Sequence, residues 1–268
     1  MCSHMSLGGP FLEPGQLGGE VLQLSEEELV RYNRQILFSS FGEKGQKRLK
    51  QTHVLIAGVG GLGSPVAIYL ACAGVGKLTL VDSDSVELSN LNRQILHWED
   101  DIGEKKVFSA ARKLKKLNST VEINPVAVKI TPESLEGLLE GVDLVTDCMD
   151  NMETRFILNE GCIRKDVPLI HGGIHGLIGE ITTIIPGKTP CFECIFPRGA
   201  ERQKPFPVFG ATPALIASLQ VMEAIKLLTG FGQLLAGKML YVNGEDMEFV
   251  TITLQKNEAC KICGGGKR

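Results

Sequence analysis

Three glycines at fixed spacing are the first residues of this chain that could do chemistry. An apolar, strand-like run over 54–57 flows into Gly58-Val59-Gly60-Gly61-Leu62-Gly63, and a helix-compatible stretch follows over 64–73. A strand that turns through Gly-x-Gly-x-x-Gly into a helix lets backbone approach a phosphate closely. The unpaired N–H groups and dipole of the helix start then favour negative charge. Asp82 lies 19 residues beyond Gly63 at the end of the next apolar run, where an acid commonly binds ribose hydroxyls. Together these features predict a bound nucleotide, and they suit nicotinamide and adenylate chemistry equally. A tight turn without a ligand accounts for the glycines but not for the acid.

More polar groups follow. Leu88-Ser89-Asn90-Leu91-Asn92-Arg93-Gln94 stands just past Asp82. Arg93 offers a permanently charged planar fork suited to phosphate, and Asn90 a neutral amide able to orient a phosphate or ribose oxygen. A polar surface loop is the competing reading. Gly103-Glu104-Lys105-Lys106 opens a helix. A lysine there would offset charge on a departing pyrophosphate, although lysine runs are usually solvated helix faces. Spacing alone does not separate Lys105 from Lys106. Asp147-Cys148-Met149-Asp150-Asn151 falls at the carboxyl end of a strand, the edge at which open α/β sheets bind ligands. A carboxylate there suits Mg2+ on a triphosphate; alternatively, Asp147 or Asp150 caps the next helix.

Of eight cysteines, four form two C-x-x-C pairs, Cys191/Cys194 and Cys260/Cys263. Four thiolates are the ligand set of a closed, structural Zn2+ site with no open catalytic position. With 65 residues between Cys194 and Cys260, such a metal would staple distant segments together. Cys2, Cys72, Cys148 and Cys162 are scattered; Cys148 and Cys162 fall in expected core elements and read as buried and inert. His171 and His175 read as polar loop residues at a strand end without a catalytic task.

The elements that must position these groups alternate. Strands are expected over 54–57, 77–81, 121–128, 142–146 and 169–172, with helices over 64–73, 104–117, 135–139 and 153–165 between them. Such alternation predicts a Rossmann-like, doubly wound, mostly parallel α/β sheet. Upstream, Ser25 followed by Glu26-Glu27-Glu28 reads as a helix cap with an acidic first turn, the helix running through Arg34 and Gln35. A second helix is expected over 43–50. Downstream come a strand over 179–185, a long helix over 212–228 ended by Gly230, and a hairpin of 239–242 with 248–254, which would extend the sheet with antiparallel strands.

The 268 residues are 43% hydrophobic and 22% charged, with a net charge of −3. That balance suits a globular chain with a sizeable core and gives no basic excess for nucleic acid. No apolar run approaches the ~18–20 residues of a membrane span. No secretory signal is visible, so a cytoplasmic location is expected. Residues 1–20 read as a tag and flexible lead-in, five glycines and two prolines falling within 8–19.

In their order along the chain, Gly58-Val59-Gly60-Gly61-Leu62-Gly63, Asp82-Ser83-Asp84, Ser89-Asn90-Leu91-Asn92-Arg93-Gln94, Lys106, Asp147-Cys148-Met149-Asp150-Asn151 and the cysteine quartet resemble the E1-like activating enzymes, most of all the ThiF, MoeB and HesA group. Arg31-Tyr32-Asn33-Arg34-Gln35 matches that group too, so the resemblance covers about 25–263. It implies one adenylation domain over 21–268, with a nucleotide half near 50–173 and a substrate and zinc half near 174–268. It implies an ATP- and Mg2+-dependent adenylyltransferase. A carboxylate, usually the C-terminal glycine of a ubiquitin-like sulfur carrier, attacks the α-phosphate, and pyrophosphate leaves. Gly58, Gly60, Gly61 and Gly63 would receive the nucleotide, with Asp82 and Asp84 on its ribose side. Asn90, Arg93 and Lys106 would contact phosphates, and Asp150 would hold Mg2+. Arg34 would reach the γ-phosphate in the other subunit of a homodimer.

One departure stands out. Many members carry a cysteine in the loop before the long helix, and here 198–212 contains none. The enzyme is therefore expected to stop at the adenylate and hand it to a downstream acyl or sulfur acceptor protein. Three other readings compete. The carboxylate could belong to a small molecule in cofactor assembly. An NAD(P)-dependent oxidoreductase would explain the glycines and Asp82 but not Arg93, Lys106, Asp150 or the cysteines. A scaffold that binds a carrier tail without activating it would have no use for the phosphate-facing residues.

Overall fold

The computed structural model describes residues 22–196, 198–199 and 207–264. The expected lead-in and part of the cysteine-free loop lie outside the described residues.

Among the described residues, three helices precede the sheet: α1 (Glu26–Arg31), α2 (Asn33–Ile36) and α3 (Gly42–Lys50). Ser25 caps α1 in a capping box, its hydroxyl accepting from Glu28 N at 3.2 Å while the Glu28 carboxylate accepts from Ser25 N at 2.8 Å. Such a cap is worth about 1 kcal/mol. The single helix expected through Arg34 is interrupted at Tyr32. That ring is buried, and its hydroxyl accepts from Asn118 Nδ2 at 2.8 Å, so a tertiary contact overrides local helix propensity.

The sheet then alternates with helices: β1 (His53–Ala57), α4 (Gly63–Ala73), β2 (Lys77–Val81), α5 (Lys106–Leu117), β3 (Glu122–Val126), α6 (Pro132–Leu138), β4 (Leu144–Asp147), α7 (Met152–Lys165) and β5 (Leu169–His175). β6 (Ile178–Ile184), α8 (Phe192–Ile195), α9 (Ala211–Thr229), β7 (Lys238–Asn243) and β8 (Glu248–Thr253) complete the chain. The strand order is β3-β2-β1-β4-β5-β6-β7-β8. The first five run parallel, and β6, β7 and β8 continue the same sheet antiparallel, as expected.

Successive strand residues face opposite layers. Val54 and Ile56 join a core under α4, α5 and α9, whereas Leu55 and Ala57 join a second core under α6, α7 and α8. The chain leaves β1 toward β2 on one side and reaches β4 on the other. The carboxyl ends of β1 and β4 therefore flank the reversal of strand order, where such sheets open a crevice.

Two expectations are corrected. His171 is not a loop residue. β5 extends to His175, and its register pairs His171 with Asp147 in the sheet interior, where His171 is fully buried. In addition, α9 is by length and composition alone long and apolar enough to cross a membrane, with a mean hydropathy of 1.3. Half of that apolar stretch is buried, because Ile216, Ala217, Val221 and Ala224 complete the first core. Polar Gln220 and Glu223 on the same helix are buried and hydrogen-bonded to sheet residues.

Candidate active site

A cavity of about 690 Å3 opens at those carboxyl ends. Gly58, Gly60, Gly61, Asp82, Asp84, Arg93, Lys106 and Asp150 all line it, joining five separate stretches of sequence.

The glycine turn forms its floor. Gly58 has φ +90°, and a Cβ there would meet the Cys148 carbonyl oxygen at 2.9 Å. Gly63 does not line the cavity, contrary to its expected role. It starts α4 so close to the turn that a Cβ would stand 1.9 Å from the Gly58 carbonyl oxygen. That contact is with backbone, which side-chain motion cannot relieve. Gly63→Ala is therefore expected to destabilise the fold by about 3 kcal/mol or more. Gly60→Ala, whose added Cβ would meet the Gln94 amide in ordinary contact, Nε2 at 3.5 Å, serves as the contrast. Urea unfolding midpoints compare the two.

Asp82 braces the turn. Its carboxylate accepts from Val59 N and from Asp84 N, each at 2.8 Å. Lys106, nearly buried at the start of α5, reaches Asp84 at 3.1 Å and points into the cavity. Lys105, one residue earlier, donates instead to the Ser83 carbonyl and does not line the cavity. Helix phase thus separates two lysines that spacing could not. Arg93 Nη1 donates to the Ser89 carbonyl and to Asn92 Oδ1, both at 2.8 Å. Its Nε and Nη2 donors remain for a ligand. Asn90 departs from expectation: its Oδ1 accepts from Glu87 N at 3.1 Å, so the amide fixes its own loop and does not line the cavity.

The opposite wall is the turn after β4. Asn151, and neither Asp147 nor Asp150, caps α7, accepting from Thr154 N at 2.9 Å. Asp150 is thereby left exposed on the cavity wall. Asp147 is buried with His171 Nδ1 at 2.7 Å and Arg155 Nε at 3.5 Å. Burial pushes the Asp147 carboxyl up, but the Arg155 charge and the His171 hydrogen bond outweigh it and hold it below the usual carboxylate range. Arg155 also donates to the Met149 and Gly172 carbonyls at 2.6 and 3.0 Å, which fixes the turn that presents Asp150.

Among the lining residues to which the sequence assigns no role are Arg155, Gln94 and Lys129. Arg155 sits in the first turn of α7. Gln94 is buried with its Oε1 lacking any hydrogen-bond partner, an orphan acceptor beside the glycine turn. Lys129 lies where the chain leaves β3. A basic residue at the carboxyl end of the third parallel strand is the only sequence signal that would have found Lys129. Arg34 lies elsewhere, exposed on α2.

The four paired cysteines converge. Sγ separations are 3.9 Å for Cys191–Cys194, 3.7 Å for Cys191–Cys260 and 3.4 Å for Cys194–Cys263. Tetrahedral thiolates about 2.3 Å from one ion stand about 3.8 Å apart, so the donor set and spacing fit a Zn-like metal. Cys148 and Cys162 are buried as expected, and burial pushes both thiols far up.

Comparison with known proteins agrees with this geometry. A family model described as the ThiF family matches residues 32–262. The chain is 40% identical to the heterocyst HesA protein of Trichormus variabilis, over 91% of this chain and 92% of that one. It is 37% identical to a sulfur carrier protein adenylyltransferase of Thermus thermophilus, over 91% and 93%. Among solved structures, E. coli MccB with MccA-N7isoASN superposes with a TM-score of 0.80 at 28% identity, covering 87% of this chain and 75% of that one.

Proposed function

We infer the function from one premise: the chain belongs to the ThiF family, and it is an ATP-dependent adenylyltransferase. Its substrate, on our reading, is the C-terminal glycine carboxylate of a ubiquitin-like sulfur carrier, which it converts to an acyl-adenylate. The convergence of Arg93, Lys106 and Asp150 on one glycine-floored cavity carries this reading. A nicotinamide site would leave both cations and the carboxylate without a task.

An anionic carboxylate approaching an anionic triphosphate meets repulsion, and the charge on the leaving pyrophosphate grows as the new bond forms. Fixed cations reduce both costs without reorganising at the moment of reaction. The glycine-turn amides receive the polyphosphate. Asp82, held by two backbone amides, offers a fixed acceptor to ribose hydroxyls. Lys106 exchanges Asp84 for phosphate, and Arg93 binds with the donors its own loop leaves unused. No side chain need act as general base, since the attacking carboxylate is already ionised near neutral pH. Asp150, on the cavity wall, would hold Mg2+, which would supply further neutralisation of the phosphate charge. Zn2+ in the cysteine quartet would be structural.

Arg34 serves the site of a second copy in a homodimer. Val30, Leu37 and Phe38, all exposed near it in sequence, supply apolar surface for that contact. The product passes to a separate acceptor protein in the cytoplasm. The catalytic chain keeps no thioester: burial pushes the Cys148 and Cys162 thiols far up, exposed Cys72 does not line the cavity, and 198–212 holds no cysteine.

The test is exchange of labelled pyrophosphate into ATP, run with candidate carrier proteins ending in Gly-Gly and, in parallel, with small carboxylates. Exchange with a carrier and no thiol-sensitive conjugate on a non-reducing gel is the expected result. Exchange with small acids alone would move the substrate to the other class. A carrier conjugate released by thiols would overturn the thioester-free scheme.

A further inference from the structure

Behind the glycine turn lies a chain of buried polar groups that takes no part in lining the cavity. His97 is buried, with Nε2 2.9 Å from the Val59 carbonyl oxygen and Nδ1 3.0 Å from Ser109 Oγ. Ser109 Oγ accepts from Lys113 Nζ at 2.8 Å, and Lys113 closes on Asp101, which Arg112 also binds at 2.9 Å. With a neutral imidazole, the protons in this chain have one arrangement. A carbonyl cannot donate, so Nε2 must carry the hydrogen. An ammonium cannot accept, so the Ser109 O–H is directed at Nδ1.

The Val59–Gly60 peptide is planar, and in a trans peptide C=O and N–H point in opposite directions. With the carbonyl turned onto His97, the Gly60 N–H turns the other way. Gly60 lines the cavity and His97 does not. Asp82 holds the other side of Val59 through its N–H. We propose that His97 is a positioning residue for nucleotide binding. Through the Val59 carbonyl it keeps the Gly60 N–H aimed at phosphate, and the Ser109–Lys113–Asp101 chain keeps His97 in the one tautomer able to do so.

The charged groups facing His97 are Lys106 and Lys113 of α5 and Asp101 of its own loop; the glycine turn brings none. Burial, against the Val59 hydrogen bond and with help from the two lysines, holds the imidazole below its ordinary range, which favours the neutral ring. The inference rests on the nucleotide reading of the cavity.

Calorimetric titration of the whole protein with Mg2+ and the α,β-methylene analogue of ATP tests it. His97→Leu is expected to weaken binding about tenfold and to raise KM for ATP with KM for the carboxylate unchanged. His97→Gln, which keeps a donor near the Nε2 position, is expected to stay within about threefold of the unmodified protein. Equal affinities for His97→Leu and the unmodified protein would overturn the role of His97 alone. An unmodified protein that binds no analogue would overturn the nucleotide reading as well. Imidazole nitrogen NMR of the unmodified protein decides the matter independently of whether variants fold. A neutral Nε2–H ring is expected, and a Nδ1–H ring or an imidazolium at pH 7 would overturn the proposal.

Discussion

Lys106→Ala is expected to lower the rate of adenylate formation by about 10²–10³-fold while leaving the fold intact. Lys106 enters the cavity from the first turn of α5, and among the described residues its ammonium is paired only with Asp84, whose carboxylate is largely exposed. Removing it takes away a cation held where pyrophosphate charge develops. The loss should appear in kcat as much as in kcat/KM, because the interaction strengthens as the leaving group departs. Lys105→Ala is the internal control. Its ammonium binds the Ser83 carbonyl on the exposed side, so its rate should stay within about threefold. Pyrophosphate exchange and AMP release read both variants. Equal losses for the two lysines, or full activity of Lys106→Ala, would show that the cation acts elsewhere. Asp150→Ala should behave like Lys106→Ala and also weaken the Mg2+ dependence.

The second large effect concerns the cysteine quartet. One tightly held zinc per chain is expected by elemental analysis. Cys191→Ser, or prolonged chelation, should remove it and lower the stability by several kcal/mol, about what a structural thiolate site contributes to folding. The reason is where the site sits. Cys191 and Cys260 are buried members of the second core. Phe192, the first residue of α8, is fully buried and packs edge-on to His171, with ring centroids 4.9 Å apart. His171 in turn holds Asp147, where the turn presenting Asp150 begins. Loss of the metal should therefore loosen the catalytic turn as well as α8. Cys72→Ser, on the outer face of α4, should change neither zinc content nor melting temperature. Full zinc occupancy in Cys191→Ser would refute the assignment.

Local signals made much of this legible in the sequence. The glycine turn, the acid after β2, the capped helices and the paired cysteines each depend on residues within a few positions of one another. Physical chemistry ties such spacings to one geometry. What the sequence hid depends on long-range register. The sequence around His171 reads as a strand end and loop, and only the β4–β5 pairing places it against Asp147. The break between α1 and α2 comes from Tyr32 bonding to Asn118, 86 positions away. Lys105 and Lys106 differ only in which side of a helix start they occupy. Asn90 looked like a phosphate ligand because its type fits; in the fold its oxygen is already engaged by Glu87 N. The chain's propensities chose the elements, and tertiary contacts chose which polar groups stay available.

Among the described residues, the charges lining the cavity nearly cancel before anything enters. Arg93, Lys106, Lys129 and Arg155 stand against Asp82, Asp84 and Asp150, with Asp147 buried behind Arg155. Such a mouth exerts little long-range pull on a polyanion, so the encounter with nucleotide should depend only weakly on ionic strength. Discrimination falls instead to close range, where a divalent-laden triphosphate can trade partners pair by pair and a lone sulfate or chloride cannot.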